Sequence, residues 1–172
     1  MIHPDDLARV GADGLCRFRG QVLRCALGRS GMTANKREGD GATPTGLLRL
    51  ERVLYRADRV ARPKAMVPVQ PLAPNDGWCD DETHADYNRA ITLPHPARHE
   101  ALWRDDAVYD LIGVLDWNRA PAQRGRGSAV FLHIARPGLA PTEGCVALPE
   151  ADLRLLLAAG LRAIQVVETA PH

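Results

Sequence analysis

A thiol and an imidazole within reach of one another are sufficient for acyl transfer without a metal, and this chain offers one such pair. The segment runs Phe131-Leu-His133-Ile-Ala-Arg136-Pro-Gly-Leu-Ala-Pro-Thr142-Glu143-Gly144-Cys145-Val-Ala-Leu148. His133 lies near the end of an apolar run, 128–135, that reads as a buried strand. The loop that follows carries Pro137, Gly138, Pro141 and Gly144, and Cys145 then enters another short β run. A loop of this length can return the chain to the neighbouring strand, so that His133 and Cys145 face each other. A thiol needs a base or a positive neighbour to become a thiolate near neutral pH, and an imidazole held on a strand supplies the base. Gly144 allows a sharp turn and leaves room for a substrate carbonyl. Backbone N–H groups around Gly144 and Cys145 are the expected oxyanion donors. A buried His, a buried Cys and a Pro/Gly loop with no chemistry is the other reading, and spacing alone leaves both open.

Other residues compete less well. The four cysteines, at 16, 25, 79 and 145, contain no CxxC pair and are far too few for a disulfide framework; the remaining three are expected as small buried hydrophobes. His95 and His99 have the i, i+4 spacing that can hold a metal on a helix. Pro94 and Pro96 argue against a helix there, so a solvated loop and no metal site are expected. Trp78, Tyr109, Asn118 and Arg136 are candidates for substrate contact, together with Thr142 and Glu143 beside the thiol. A turn role for Asn118 and core packing for Tyr109 are the competing readings. Lys36-Arg37-Glu38 reads as a solvated loop.

The elements that must position these residues are mostly strands. Gln21–Leu27, ended by Gly28, and Leu47–Tyr55 read as strands on either side of a polar, Gly-rich loop from Arg29 to Thr45. Val108–Leu115 is a further apolar run. Residues 56–100, with six prolines, are expected to be irregular, an insertion or lid. Ala151–Ala159 has apolar residues at 153, 156 and 157, at helical spacing. Pro149 suits its first turn, Glu150 and Asp152 its positive end, and Gly160 its stop. Ala163–Val167 is a closing strand. The expectation is one domain over 1–172, mainly β with one helix near the end.

Bulk properties exclude other classes. Lys plus Arg (22) balance Asp plus Glu (21), so no electrostatic case exists for nucleic acid or an anionic membrane. Aromatics at 5 % do not furnish a base-stacking surface. No apolar stretch is long enough to span a bilayer. The start, Met1–Val10, has no basic region followed by an apolar one and does not read as a secretory signal.

His, a loop, then Ser/Thr-x-Gly-Cys and an apolar residue resembles the signature of the L,D-transpeptidase catalytic domain (YkuD, or ErfK/YbiS/YcfS/YnhG), matched here by His133 and Thr142-Glu-Gly-Cys-Val146. A second match lies upstream, where the family has a Gly-rich loop with Thr-Pro-x-Gly ahead of a strand. This chain has Gly39-Asp-Gly-Ala-Thr43-Pro44-Thr45-Gly46-Leu-Leu48. Three positions depart from the family pattern. Ile134 replaces the usual Gly after the His, Glu143 a basic residue before Gly-Cys, and Ala147 an Arg two residues after the Cys; Arg136 or a residue of 56–100 is expected to stand in for that Arg. These departures mark a divergent branch of proteobacterial type.

The resemblance implies a β-sandwich or barrel-like fold and a cofactor-free peptidoglycan L,D-transpeptidase that acts in the cell envelope on stem peptides and contributes to wall biogenesis and cell shape. With no signal visible, cytoplasm is the alternative location. Cys145 would attack the L-centre carbonyl of a donor stem, with His133 as base. A thioester would then be resolved by an acceptor amine, or by a free D-amino acid. Carbapenems are the expected acylating inhibitors. An L,D-carboxypeptidase or amidase on muropeptides is the nearest rival, and an inactive peptidoglycan-binding module the rival of another class. The cross-link type and the oligomeric state are not legible in the sequence.

Overall fold

The computed structural model describes residues 2–168. At the N-terminus β1 (Leu7–Gly11), β2 (Leu15–Phe18) and β3 (Gln21–Arg24) form an antiparallel meander. Two short strands, β4 (Met32–Thr33) and β5 (Thr43–Pro44), pair in parallel and bring together the ends of the loop between them. The long strand β6 (Gly46–Tyr55) follows, then β7 (Val69–Pro71), β8 (Asp76–Cys79), β9 (Ala90–Thr92) and β10 (His99–Ala101). Then come β11 (Leu111–Leu115), β12 (Phe131–Ile134), β13 (Val146–Leu148), the helix α1 (Glu150–Ala158) and β14 (Ala163–Val167).

The main sheet has the order β13-β12-β11-β6-β14-β1-β2-β3, with β7 also on β6. Its two ends all but meet. Just past β3, Ala26 and Ala147 of β13 exchange backbone hydrogen bonds at 2.8 and 3.0 Å, and Gly28 bridges Thr142. The sheet is therefore barrel-like, which leaves few unpaired edges. The strands β10-β8-β9 form a separate antiparallel sheet.

The pleat explains how the sheet is used. In the first half of β6 Leu48 and Leu50 are buried while Leu47 and Arg49 are exposed, the alternation of a strand with one wet face. In β12 every residue is buried, and the two faces meet different partners. Leu132 and Ile134 join Leu153, Leu156 and Leu157 of α1 in one core. Phe131 joins Trp78, Tyr109 and Ile112 in another, where its ring meets Trp78 edge-on at 5.1 Å. The residues of the site sit on this second face.

The mainly β expectation and the single helix agree with the structure, as do β14 and, within a few residues, β6 and α1. Pro149 precedes the helix, and its carbonyl accepts the Leu153 N–H at 3.0 Å rather than Pro149 opening the first turn. The run from Val108 becomes a strand only at Leu111. Residues 56–100 are largely irregular, as expected, but also hold the short strands β7, β8, β9 and the start of β10. Those strands are three or four residues long, too short to show a period between prolines. β1 and β2 were hidden differently, because Arg9 and Arg17 interrupt their apolar residues.

The packing of α1 gives a direct test. Leu153 is wholly buried beneath β12, whereas Leu155 is 37 % exposed. Leu153→Ala is expected to lower the unfolding free energy by about 2–5 kcal/mol, and Leu155→Ala by less than about 1 kcal/mol, in urea titrations followed by circular dichroism.

Candidate active site

Parallel pairing of β12 with β13 places His133 beside Ala147 and Leu132 beside Val146. Side chains two residues apart on a strand share a face, so Phe131, His133 and Cys145 fall on the same side of the sheet. His133 and Cys145 line one cleft of about 380 Å³.

The turn ahead of Cys145 is held by hydroxyl groups. Thr142 Oγ1 accepts the Gly144 N–H at 3.1 Å and donates to the Cys145 carbonyl at 2.7 Å. Thr43, from the distant Thr-Pro-Thr-Gly motif, donates to the same carbonyl at 3.5 Å and accepts the Gly28 N–H at 2.9 Å. Gly144 has φ +139°, and a Cβ there would lie 2.8 Å from the Ala42 carbonyl oxygen. Gly28 is equally confined, since a Cβ would come within 2.4 Å of the Gly41 carbonyl oxygen. Both glycines are thus required by the close passage of loop 34–42 over the turn. The Gly144 N–H, expected as an oxyanion donor, is occupied by Thr142 in this conformation.

The surroundings of both side chains favour their neutral forms. The Cys145 sulfur accepts the Phe131 N–H at 3.4 Å and donates to the Ala129 carbonyl at 3.3 Å. Burial pushes the thiol up to about 12, against a smaller opposing effect of the Phe131 N–H. Burial likewise lowers the His133 pKa, and Arg136 and Arg104 lower it further against the Ile134 hydrogen bond. His133 Nδ1 is 2.9 Å from the Ile134 carbonyl. A carbonyl can only accept, so Nδ1 carries the proton and Nε2 is the free basic nitrogen. The Tyr109 ring packs edge-on against the imidazole at 5.5 Å and fixes its plane. Among the described residues no hydrogen bond joins His133 to Cys145, so the thiol must turn from Ala129 to hand over its proton.

The candidates named from sequence separate into two groups. Tyr109, Arg136, Thr142 and Glu143 line the cleft with Cys145, His133 and Gly144. Within that group Thr142 has its hydroxyl committed to the turn, a positioning rather than a substrate-binding role. Glu143 is exposed and paired with Arg29 at 2.9 Å on the rim. Trp78 and Asn118 do not line the cleft. Trp78 is 1 % exposed and donates from Nε1 to Asn88 at 3.0 Å. Asn118, at φ +50°, ties its own loop through Gln123 and Gly127. Both are corrected to structural residues, Trp78 by its bulk in the core and Asn118 by its left-handed turn.

The sequence reading missed Lys36, Glu38, Glu100 and Arg104, all of which line the cleft. Lys36 is only 4 % exposed, not a solvated residue. Its ammonium pairs with Asp40, donates to the Arg37 carbonyl at 3.1 Å and lies beside Gly144. Its charge acts on Cys145 in the direction of thiolate. The Lys36–Asp40 i, i+4 spacing was a usable signal, but nothing in the sequence brings Glu100 or Arg104 to Cys145.

His95 and His99 do not form a pair. The ligand-type cluster among the described residues is His84, Asp86 and His95, outside the cleft. His84 and His95 each use Nδ1 to accept a backbone N–H, from Asp86 at 3.1 Å and Ala97 at 3.2 Å. Their protons therefore sit on Nε2, and His95 donates to Asp86 at 3.2 Å. The group reads as a hydrogen-bonded staple.

The family model of the L,D-transpeptidase catalytic domain matches residues 14–161, a span that contains Thr43-Pro44, His133 and the Cys145 turn. No curated protein and no solved structure matches the chain.

Two outcomes follow from this geometry. Thr142→Val is expected to destabilise the fold by about 1–3 kcal/mol, because Gly144 and Cys145 lose buried partners; denaturant titration measures it, and an unchanged midpoint refutes the turn's dependence on that hydroxyl. A thiol whose neutral form is favoured has less thiolate at any given pH. Alkylation of Cys145 by iodoacetamide at pH 8 should be more than about tenfold slower in the folded protein than in urea, and should accelerate as pH rises toward 11, followed by intact mass and peptide mapping.

Proposed function

Because the chain belongs to the L,D-transpeptidase catalytic-domain family, we propose that it is a peptidoglycan L,D-transpeptidase with Cys145 as nucleophile and His133 as base. The observation that carries this reading is the convergence on Cys145. Hydroxyls from two motifs far apart in the chain, Thr43 and Thr142, both bond its carbonyl, and an imidazole with a free Nε2 lines the same cleft.

The reaction starts when a donor stem peptide displaces water from the cleft. His133 Nε2 takes the thiol proton, and sulfur attacks the L-centre carbonyl of the donor. Collapse of the tetrahedral intermediate breaks the C–N bond, and His133 returns the proton to the leaving amine. The product is a thioester on Cys145. An acceptor amine attacks this thioester, the C–S bond breaks, and the amine proton returns to sulfur through His133. The Lys36 ammonium beside Gly144 supplies positive charge near the developing oxyanion, where the Gly144 N–H is engaged. Arg136, exposed and without an ion-pair partner among the described residues, is the cation available on the rim for a stem carboxylate.

The decisive measurement is intact mass after incubation with a carbapenem, alongside product analysis on tetrapeptide muropeptides. Wild type should gain the mass of one inhibitor and form cross-linked products with release of D-Ala; Cys145→Ala should do neither. His133→Ala should reduce acylation by about 10²–10⁴-fold. Tripeptide without cross-links would make the protein an L,D-carboxypeptidase. No adduct and no turnover would leave a peptidoglycan-binding module.

A further inference from the structure

Glu100 is a half-buried carboxylate in the catalytic cleft; the Arg104 charge in the same cleft acts favourably on it, but among the described residues no cation lies within salt-bridge distance of it. Its side chain is held by a neutral donor instead, the Tyr109 hydroxyl at 2.8 Å. Glu38, from the loop between β4 and β5, repeats the arrangement with the Tyr87 hydroxyl and lines the same cleft. The other two carboxylates there are by contrast each paired with an arginine, Asp80 with Arg98 at 2.9 Å and Glu143 with Arg29 at 2.9 Å. Ser128 Oγ is also in this cleft, fully buried and without a hydrogen-bond partner.

This arrangement works against the nucleophile. The Glu100 charge opposes thiolate formation at Cys145, and burial makes the carboxylate itself less stable when ionised. A carboxylate drawn partly out of water and bonded only to a neutral donor is poorly compensated. Its place beside a nucleophile makes sense when a reactant brings a positive charge into direct contact with it. Acyl transfer to an amine has such a reactant, since free aliphatic amines are ammonium ions near neutral pH.

Resting on the transpeptidase reading above, we propose that Glu100 is the specificity-determining residue that receives the acceptor's ammonium and so favours amines over water. Glu38 and Ser128 complete the same subsite. The ammonium gives one proton to the Glu100 carboxylate and becomes a neutral amine. The amine attacks the thioester carbonyl, the C–N bond forms and the C–S bond breaks. His133 takes the second proton from nitrogen and passes it to sulfur, and Glu100 releases its proton to water.

The test follows a tetrapeptide stem donor partitioned between hydrolysis and two acceptors at pH 7. Glycinamide is the cationic acceptor and hydroxylamine the neutral one. Glu100→Gln should reduce transfer to glycinamide relative to hydrolysis by roughly tenfold or more, mostly through a raised KM for the amine. Transfer to hydroxylamine relative to hydrolysis should stay within about twofold, while donor acylation, freed of a charge that opposes the Cys145 thiolate, should not fall. Glu100→Asp keeps the charge but draws it back, and should give an intermediate loss confined to glycinamide; it decides the matter if the Gln variant does not fold. Equal effects on both acceptors, or none on either, overturn the ammonium subsite while acylation of Cys145 still upholds the transpeptidase. A wild type that never acylates overturns both.

Discussion

The Cys145 carbonyl oxygen is the point on which the site depends. It accepts from Thr142 three residues before it and from Thr43 in the upstream motif. A backbone carbonyl at the end of a turn has to be satisfied when buried, and here two side chains do it. Those hydroxyls also hold the Gly144 and Gly28 N–H groups. One small network therefore ties the turn, the strand edge past β3 and the Gly-rich loop into a single unit. The near-closure of the sheet at Ala26 and Ala147 makes this possible, because it brings the residues after β3 against β13. A glycine at 28 and at 144 is the steric condition for it.

Charge in the cleft follows a consistent pattern. Burial favours the neutral thiol and the neutral imidazole together, against a thiolate–imidazolium pair. The thiol donates to the Ala129 carbonyl, and the Ile134 contact with Nδ1 leaves the imidazole Nε2 free as a base. Such a pair is chemically quiet until a substrate changes the surroundings. Lys36 biases the thiol toward ionisation and Glu100 biases it away. The two lie on different elements, and the balance between them is open to whatever charge the substrate carries.

The shared cleft of His133 and Cys145 was legible because the two are local: a strand, a Gly/Pro loop and a thiol follow one another in the chain. α1 and β14 were legible for the same reason, through apolar spacing and end signals. The rest was not, and each miss has a physical cause. β8, β9 and β10 are too short to show a period, yet they carry Glu100 and Asp80 to the cleft. Lys36 looked solvated because charged residues surround it, whereas the β4–β5 pairing folds its loop inward. Trp78 and Asn118 looked functional by type. A tryptophan in a core and an asparagine at positive φ have the same appearance in a sequence as ones that line a cleft.

The departures from the family pattern become intelligible in these terms. Ile134 is 7 % exposed and packs toward α1, so it anchors the strand on one face while its carbonyl sets the His133 tautomer on the other. A side chain at this position leaves the His133 contact intact because that contact uses only the carbonyl. Glu143 points to the rim and is matched by Arg29, a compensating pair between the two edges of the closure. Ala147 is wholly buried and bonded by its backbone to Ala26, a place with no room for a guanidinium. The positive charge that the family pattern puts in the motif is thus absent from the motif here. The cleft instead draws its cations from Lys36 in the upstream loop, Arg104 after β10 and Arg136 after β12. Charges mounted on loops can change without disturbing the barrel-like sheet that fixes sulfur and imidazole.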